Sequence, residues 1–148
     1  IGGYQESKFF FFFFEIVLAK TPFGNIGLMV CYDLRFPELS LSLRNRGANI
    51  LTAPAAFTYT TGEMHWQLLL QARAMDSQCQ VLGAAQQGWH GEKRQTWGHT
   101  AATNSRGQIL EIVNQEGAQL ITAPFDLEQQ LKVRESMPLM QHRKLIQY

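Results

Sequence analysis

The sequence predicts an α/β fold built around a mostly parallel sheet. Three observations carry this. Short apolar runs recur at residues 26–30, 49–53 and 80–85, each the length of a buried strand. Between them lie stretches at 38–46 and 63–78 whose apolar residues repeat at helical spacing. Strands separated by helices of this size argue for parallel pairing through crossover connections.

Taken in order, residues 15–20 are a short strand candidate, and Thr21-Pro22-Phe23-Gly24 is a turn punctuated by Pro and Gly. Residues 26–30 are uninterruptedly apolar, which suits a buried strand. Pro37 stands where a first helical position would be. Leu39 and Leu43 then share a face, and Gly47 is the stop. Residues 49–53 form the second buried strand. Thr61-Gly62-Glu63 opens a long helix to about residue 78, with Trp66, Leu69, Leu70 and Ala74 as its apolar positions. A third strand covers 80–85, and 91–95 read as a polar loop. Residues 98–103, 109–113 and 119–125 read as further strands, with a turn at 104–107. These later, hairpin-like strands make the sheet mixed.

The composition narrows the function. The chain of 148 residues suffices for one domain and shows no internal repeat or linker. A formal net charge of +1, dispersed along the chain, offers no field for a nucleic-acid backbone. Two cysteines do not make a disulfide framework, so a reducing compartment is expected. His65, His90, His99 and His142 lack metal-ligand spacing and read as hydrogen-bonded structural residues, although His65 and His99 could meet in space. Residues 9–14 are six consecutive phenylalanines, too few to span a bilayer and closed by Glu15. Residues 1–14 are therefore set apart as an atypical, mistranslated or disordered N-terminus, and 15–148 form the domain. A phenylalanine run implies a pyrimidine-rich coding tract of the kind that precedes splice acceptors, so this stretch reads as translated intron.

Cys31 follows a buried apolar strand and precedes a helix by a few residues. An α/β sheet presents a nucleophile in this position, at the carboxyl end of a strand on a tight turn. Backbone N–H groups after it, that of Tyr32 first, can point at a developing oxyanion. On spacing alone an inert buried thiol is the commoner reading, and Cys79, between the long helix and a strand, fits it. Arg35, Glu38 and Arg73 read either as active-site charges or as members of buried ion pairs that fix the turn and the long helix. Phe57 and Thr58 end a strand, where they either line a pocket or pack. His65 and Trp66 begin a helix and either scaffold or border the site.

The stretch 21–39 (TPFGNIGLMVCYDLRFPEL) resembles the nucleophile segment of the nitrilase superfamily of carbon–nitrogen hydrolases. Further blocks follow in that family's order: Arg46-Gly47-Ala48, Pro54-Ala55-Ala56-Phe57, Thr61-Gly62 with His65-Trp66, Ala72-Arg73-Ala74 and Gly98-His99. The resemblance implies the C-terminal part of an α-β-β-α sandwich and a Glu-Lys-Cys triad with Cys31 as nucleophile. It implies a small-molecule amide as substrate, no metal or organic cofactor, a homo-oligomeric full-length protein, and a cytoplasmic or mitochondrial location. Ala84-Ala85-Gln86, the loop from His90 through Glu92-Lys93-Arg94 to His99, and the tail from Met137 to Arg143 resemble the branch acting on deaminated glutathione. The ω-amidase branch, acting on α-ketoglutaramate, is similar around Cys31. Glu6, Lys8, Glu15 and Lys20 are the acids and bases upstream of Cys31 closest in kind to the triad's Glu and Lys, and none lies in the family's lysine motif. Those two roles are expected on residues outside this chain. Without them the chain reads as a nearly inert fragment, or as an interaction protein.

Overall fold

The computed structural model describes residues 15–115 and 117–144. The expectations for residues 1–14 lie outside this range. A six-stranded mixed sheet forms the centre: β1 (Leu18–Thr21), β2 (Gly24–Leu28), β3 (Ile50–Thr52), β4 (Gln80–Gly83), β7 (Ala101–Thr103) and β8 (Ile109–Ile112), in the spatial order β1-β2-β3-β4-β7-β8. β2, β3 and β4 run parallel, and the outer pairings are antiparallel. The two crossovers are helices, α1 (Pro37–Asn45) and α2 (Tyr59–Ser77). The α/β reading and the mixed sheet both hold.

Register explains where the core sits. Gly27, Leu51 and Val81 stand side by side on the parallel strands and point to the helical face, where Leu43 of α1 and Trp66, Leu70 and Ala74 of α2 are fully buried. Gly27 has no room to be anything larger: a Cβ there would lie 2.8 Å from Leu51 Cδ2 and 3.1 Å from Leu43. α1 begins with Pro37 in its first turn, as read, and Gly47 follows it with φ +98°. α2 starts two residues earlier than the sequence suggested and ends on Gln78 in the left-handed region.

Three local expectations need correction. Residues 26–30 are not covered on both faces: Leu28 and Val30 keep 44% and 52% of their surface, because α1 and α2 cover only one side of the sheet. The polar loop at 91–95 is the tip of a hairpin, β5 (Gln87–His90) with β6 (Arg94–Trp97), which forms its own two-stranded sheet. Its positive-φ Gly91 supplies the turn chemistry, while Gly88, also at positive φ, lies within β5 opposite Thr96. Residues 119–125 form no strand; the segment passes in extended coil to α3 (Leu127–Ser136) and the short α4 (Leu139–His142).

α3, absent from the sequence reading, is capped by Asp126, whose carboxylate accepts from the Gln129 N–H at 2.8 Å. Arg134 donates to the carbonyls of Ala48 and Gln78 (3.0 and 3.1 Å), and Gln130 donates to that of Asn49. These carbonyls belong to the turns that enter β3 and β4. α3 therefore locks the amino edge of the parallel strands and leaves their carboxyl edge, with Cys31, to the site.

Candidate active site

Three chain segments meet at the carboxyl ends of β2, β3 and β4. After β2, the N–H groups of Met29 and Cys31 donate to the carbonyls of Thr52 and Pro54, at 3.0 and 2.8 Å. Ala55 in turn bridges to Ala85 beyond β4. The ladder thus continues past the formal strand ends and carries Cys31 out along the edge.

At Cys31 the chain reverses into a 3-10 turn, Cys31–Arg35, with φ +46° at the cysteine itself. Such a left-handed conformation costs a non-glycine residue on the order of 1 kcal/mol and persists only where the surroundings enforce it. Asp33 does so: its carboxylate accepts from the Val30 N–H at 2.9 Å, and its own N–H donates to the Val30 carbonyl at 2.9 Å. Asp33 was not singled out from sequence, and its place two residues after the cysteine is the signal that could have found it. Cys31 is half-buried against the core. As the second residue of a helical turn, Tyr32 has no intrahelical acceptor for its N–H.

Arg35 joins the cysteine turn to the segment after β3 and to α2. Its guanidinium lies 5.6 Å from the ring centroid of Tyr32 and 5.5 Å from that of Phe57, in cation–π range. Its Nη2 donates to His65 Nδ1 at 3.2 Å. Phe57 packs edge-on against Trp66, which is fully buried and donates from Nε1 to the His99 carbonyl at 2.7 Å. His99, itself at φ +60°, stacks on Trp97 at 4.0 Å. Trp97 closes the wall by donating its N–H to the Phe57 carbonyl and meeting Tyr59 edge-on. His65 and His99 are both hydrogen-bonded, each to a different partner.

The candidates therefore divide. Tyr32, Phe57 and His65 converge on Arg35 at the turn that Cys31 begins, with Phe57 packed on Trp66. Thr58 is exposed and caps the start of α2, where it bridges to Thr96 of the hairpin. Glu38 is exposed in the first turn of α1 and pairs with no cation among the described residues. Arg73 lies on the buried face of α2, away from the turn. Its Nη2 meets Asp76 at 3.3 Å, and its Nε and Nη1 have no partner among the described residues. Of the expected ion pairs, this contact within α2 is the one present among the described residues, and the cysteine turn is closed by Asp33 instead. Cys79 is buried beside Arg134, and burial pushes its thiol pKa up. Among the described residues no three of His, Cys, Asp or Glu are grouped to hold a metal ion, and no helix is long and apolar enough to cross a membrane.

The sequence profile of the carbon–nitrogen hydrolase family matches residues 2–135, beginning ahead of the phenylalanine run. This chain belongs to that family. The carbon–nitrogen hydrolase chain is 43% identical over 145 residues to the deaminated glutathione amidase of Yersinia enterocolitica, covering 98% of itself and 50% of that protein. Its structure is similar to that of the C. elegans NitFhit protein, with a TM-score of 0.86 at 41% identity, over 95% of this chain and 34% of that one. It is also similar to Saccharomyces cerevisiae Nit3, a member of branch 10 of the nitrilase superfamily, with a TM-score of 0.81 at 32% identity, over 88% and 48% of the two chains. The chain spans half or less of the length of the curated relatives it matches.

Proposed function

We propose that this chain carries the nucleophile and the substrate-acid anchor of an amidase acting on deaminated glutathione. The observation that carries the reading is the placement of Cys31 on a left-handed turn at the carboxyl edge of the parallel strands, the turn that Arg35 ends. The Cys31 thiolate attacks the amide carbonyl carbon. The oxygen takes the developing charge and is met by the Tyr32 N–H. The tetrahedral intermediate collapses with loss of the protonated amine and leaves an acyl thioester on Sγ. Water then hydrolyses the thioester to the acid and returns the thiol. The general base and the oxyanion-holding lysine of the superfamily are assigned to no residue of this chain.

Arg35 supplies the substrate's anchor. Its partners are a neutral ring nitrogen and two aromatic faces, so no carboxylate among the described residues neutralises it. Deaminated glutathione and α-ketoglutaramate both end in a 2-oxo acid, and a guanidinium binds such a carboxylate through paired N–H donors. The amine sides of the two compounds differ. Glu92 and Lys93 sit at the tip of the hairpin, and Arg94 Nη2 donates to the Ala56 carbonyl, next to Phe57. The loop whose sequence follows the deaminated-glutathione branch is thus tied to the wall of the site, and the identity to the Yersinia amidase points the same way. The ω-amidase reading is the alternative within the family. A cytoplasmic or mitochondrial setting fits either substrate.

The test uses the full-length protein that contains this chain. Cys31→Ala should abolish hydrolysis and Cys79→Ser should leave most of it, with kcat/KM higher for deaminated glutathione than for α-ketoglutaramate. Near-normal turnover by Cys31→Ala would overturn the mechanism. A preference for α-ketoglutaramate would move the protein to the ω-amidase branch.

A further inference from the structure

The geometry points to His65 as a positioning residue for the substrate's carboxylate, acting through Arg35. This rests on the reading that Arg35 is the acid anchor. A guanidinium carries five N–H donors, has no acceptor and stays charged throughout the range where proteins are folded. In the 3.2 Å contact between Arg35 Nη2 and His65 Nδ1 the histidine must therefore be the acceptor. That fixes the imidazole as the neutral tautomer with its proton on Nε2.

A neutral acceptor at this place has a specific consequence. Were residue 65 an aspartate or glutamate, a fixed carboxylate would occupy the guanidinium and cancel its charge. A histidine orients the group and leaves the charge for a ligand. The two ring contacts place the guanidinium over the faces of Tyr32 and Phe57 and give its N–H groups no oxygen or nitrogen acceptor. Beyond the bond to His65, the guanidinium N–H groups meet no acceptor among the described residues, and neither Nε nor Nη1 is a buried donor without a partner. The guanidinium is thus held from three sides, by the cysteine turn, by the segment after β3 and by α2. The donors on Nε and Nη1 are left for a ligand, on the residue that ends the turn Cys31 begins.

His65 reaches α2's buried face through its neighbour Trp66, which is anchored to the His99 carbonyl. The histidine is therefore carried on a rigid support, as a group that must aim another requires. A carboxylate bound by Arg35 is far from the scissile bond and is held equally in the ground and transition states. Loss of its orientation accordingly raises KM and spares kcat.

The experiment compares the full-length wild-type protein with His65→Leu, His65→Asn and His65→Gln, using deaminated glutathione and pentanamide, a neutral amide. Asn places an oxygen close to the position of Nδ1, whereas Gln places it one bond further out. His65→Leu should raise KM for deaminated glutathione by about 10- to 100-fold, the equivalent of one charge-assisted hydrogen bond. Its kcat should stay within about threefold, and kcat/KM for pentanamide should not change. His65→Asn should restore KM to near the wild-type value, and His65→Gln should not. A loss of kcat/KM shared equally by both substrates would overturn the inference in favour of a purely structural role, and so would an unaltered KM. If His65→Leu fails to fold, the Asn and Gln variants decide between them, and equal KM values for the two overturn it. Arg35→Met separates the two levels. A raised KM in Arg35→Met with none in His65→Leu sinks His65 alone, whereas an unaltered KM in Arg35→Met sinks the anchor reading itself.

Discussion

Gly62→Ala should destabilise the protein, against the ordinary preference of helices for alanine. Gly62 is buried in the first turns of α2, and a Cβ there would stand 2.2 Å from the Cβ of Trp97 and 2.6 Å from its Cγ. Carbon atoms settle at about 3.5 Å or more, so a gap of about 1.3 Å must open. Trp97 cannot yield it. Its N–H is bonded to the Phe57 carbonyl at 3.0 Å, and its ring lies between Tyr59 at 5.0 Å and His99 at 4.0 Å. The start of α2 must lift instead. Overpacking of this kind costs about 1–3 kcal/mol, and a clash between two Cβ atoms fixed to their backbones belongs at the upper end. Alanine's helix propensity returns about 1 kcal/mol. The net loss is about 2 kcal/mol, which lowers Tm by roughly 4–8 °C in a protein of a few hundred residues. Thermal unfolding of the full-length protein, followed by far-ultraviolet circular dichroism, measures it. His65 lies one turn along the helix, so KM for an acid-bearing substrate should rise in the same variant. An unchanged or higher Tm would mean that α2 and β6 do not meet at this point, and the placement of His65 would fall with it.

Further outcomes are expected elsewhere in the fold. Arg134→Met keeps the length of the side chain but removes its bonds to Ala48 and Gln78, so chemical denaturation should show a loss of about 1–3 kcal/mol. The effect on kcat should be small, because α3 sits at the edge of the sheet opposite Cys31. Burial raises the Cys79 thiol above its ordinary pKa of 9.0. The unfolded chain therefore ionises first, and stability should fall as pH rises past about 9, a slope that Cys79→Ser removes if the assignment is right. The 148-residue chain on its own should bind a hydrophobic dye and show no amidase activity, since Leu28 and Val30 are open on one face of the sheet. A dye-silent, active chain would contradict both the exposed face and the assignment of the base and lysine elsewhere.

How much of this was legible follows from which forces write themselves into local sequence. The crossover helices were readable because Pro37 and Gly47 bracket α1 and because Trp66, Leu70 and Ala74 repeat at helical spacing. Cys31 was readable through its place after an apolar strand, whereas its left-handed φ was not: no glycine marks it, and Asp33 enforces it through two bonds to Val30. α3 escaped because its docking is polar. Gln130 and Arg134 hold it through backbone carbonyls, and an amide or guanidinium side chain carries no apolar period. The convergence of Arg35, Phe57 and His65 is likewise non-local: three segments contribute one residue each, and only the pairing of β2 with β3 and the start of α2 bring them together. The run at 26–30 is the instructive case. A strand with one wet face would alternate, as Gly27 and Leu28 do in burial, yet Leu28 and Val30 are as apolar as their buried neighbours. The composition of this strand is that of a sheet covered on both sides, while the described residues cover one. The uncovered side lies beside the cysteine turn, so a segment packed against Leu28 and Val30 would also border Cys31.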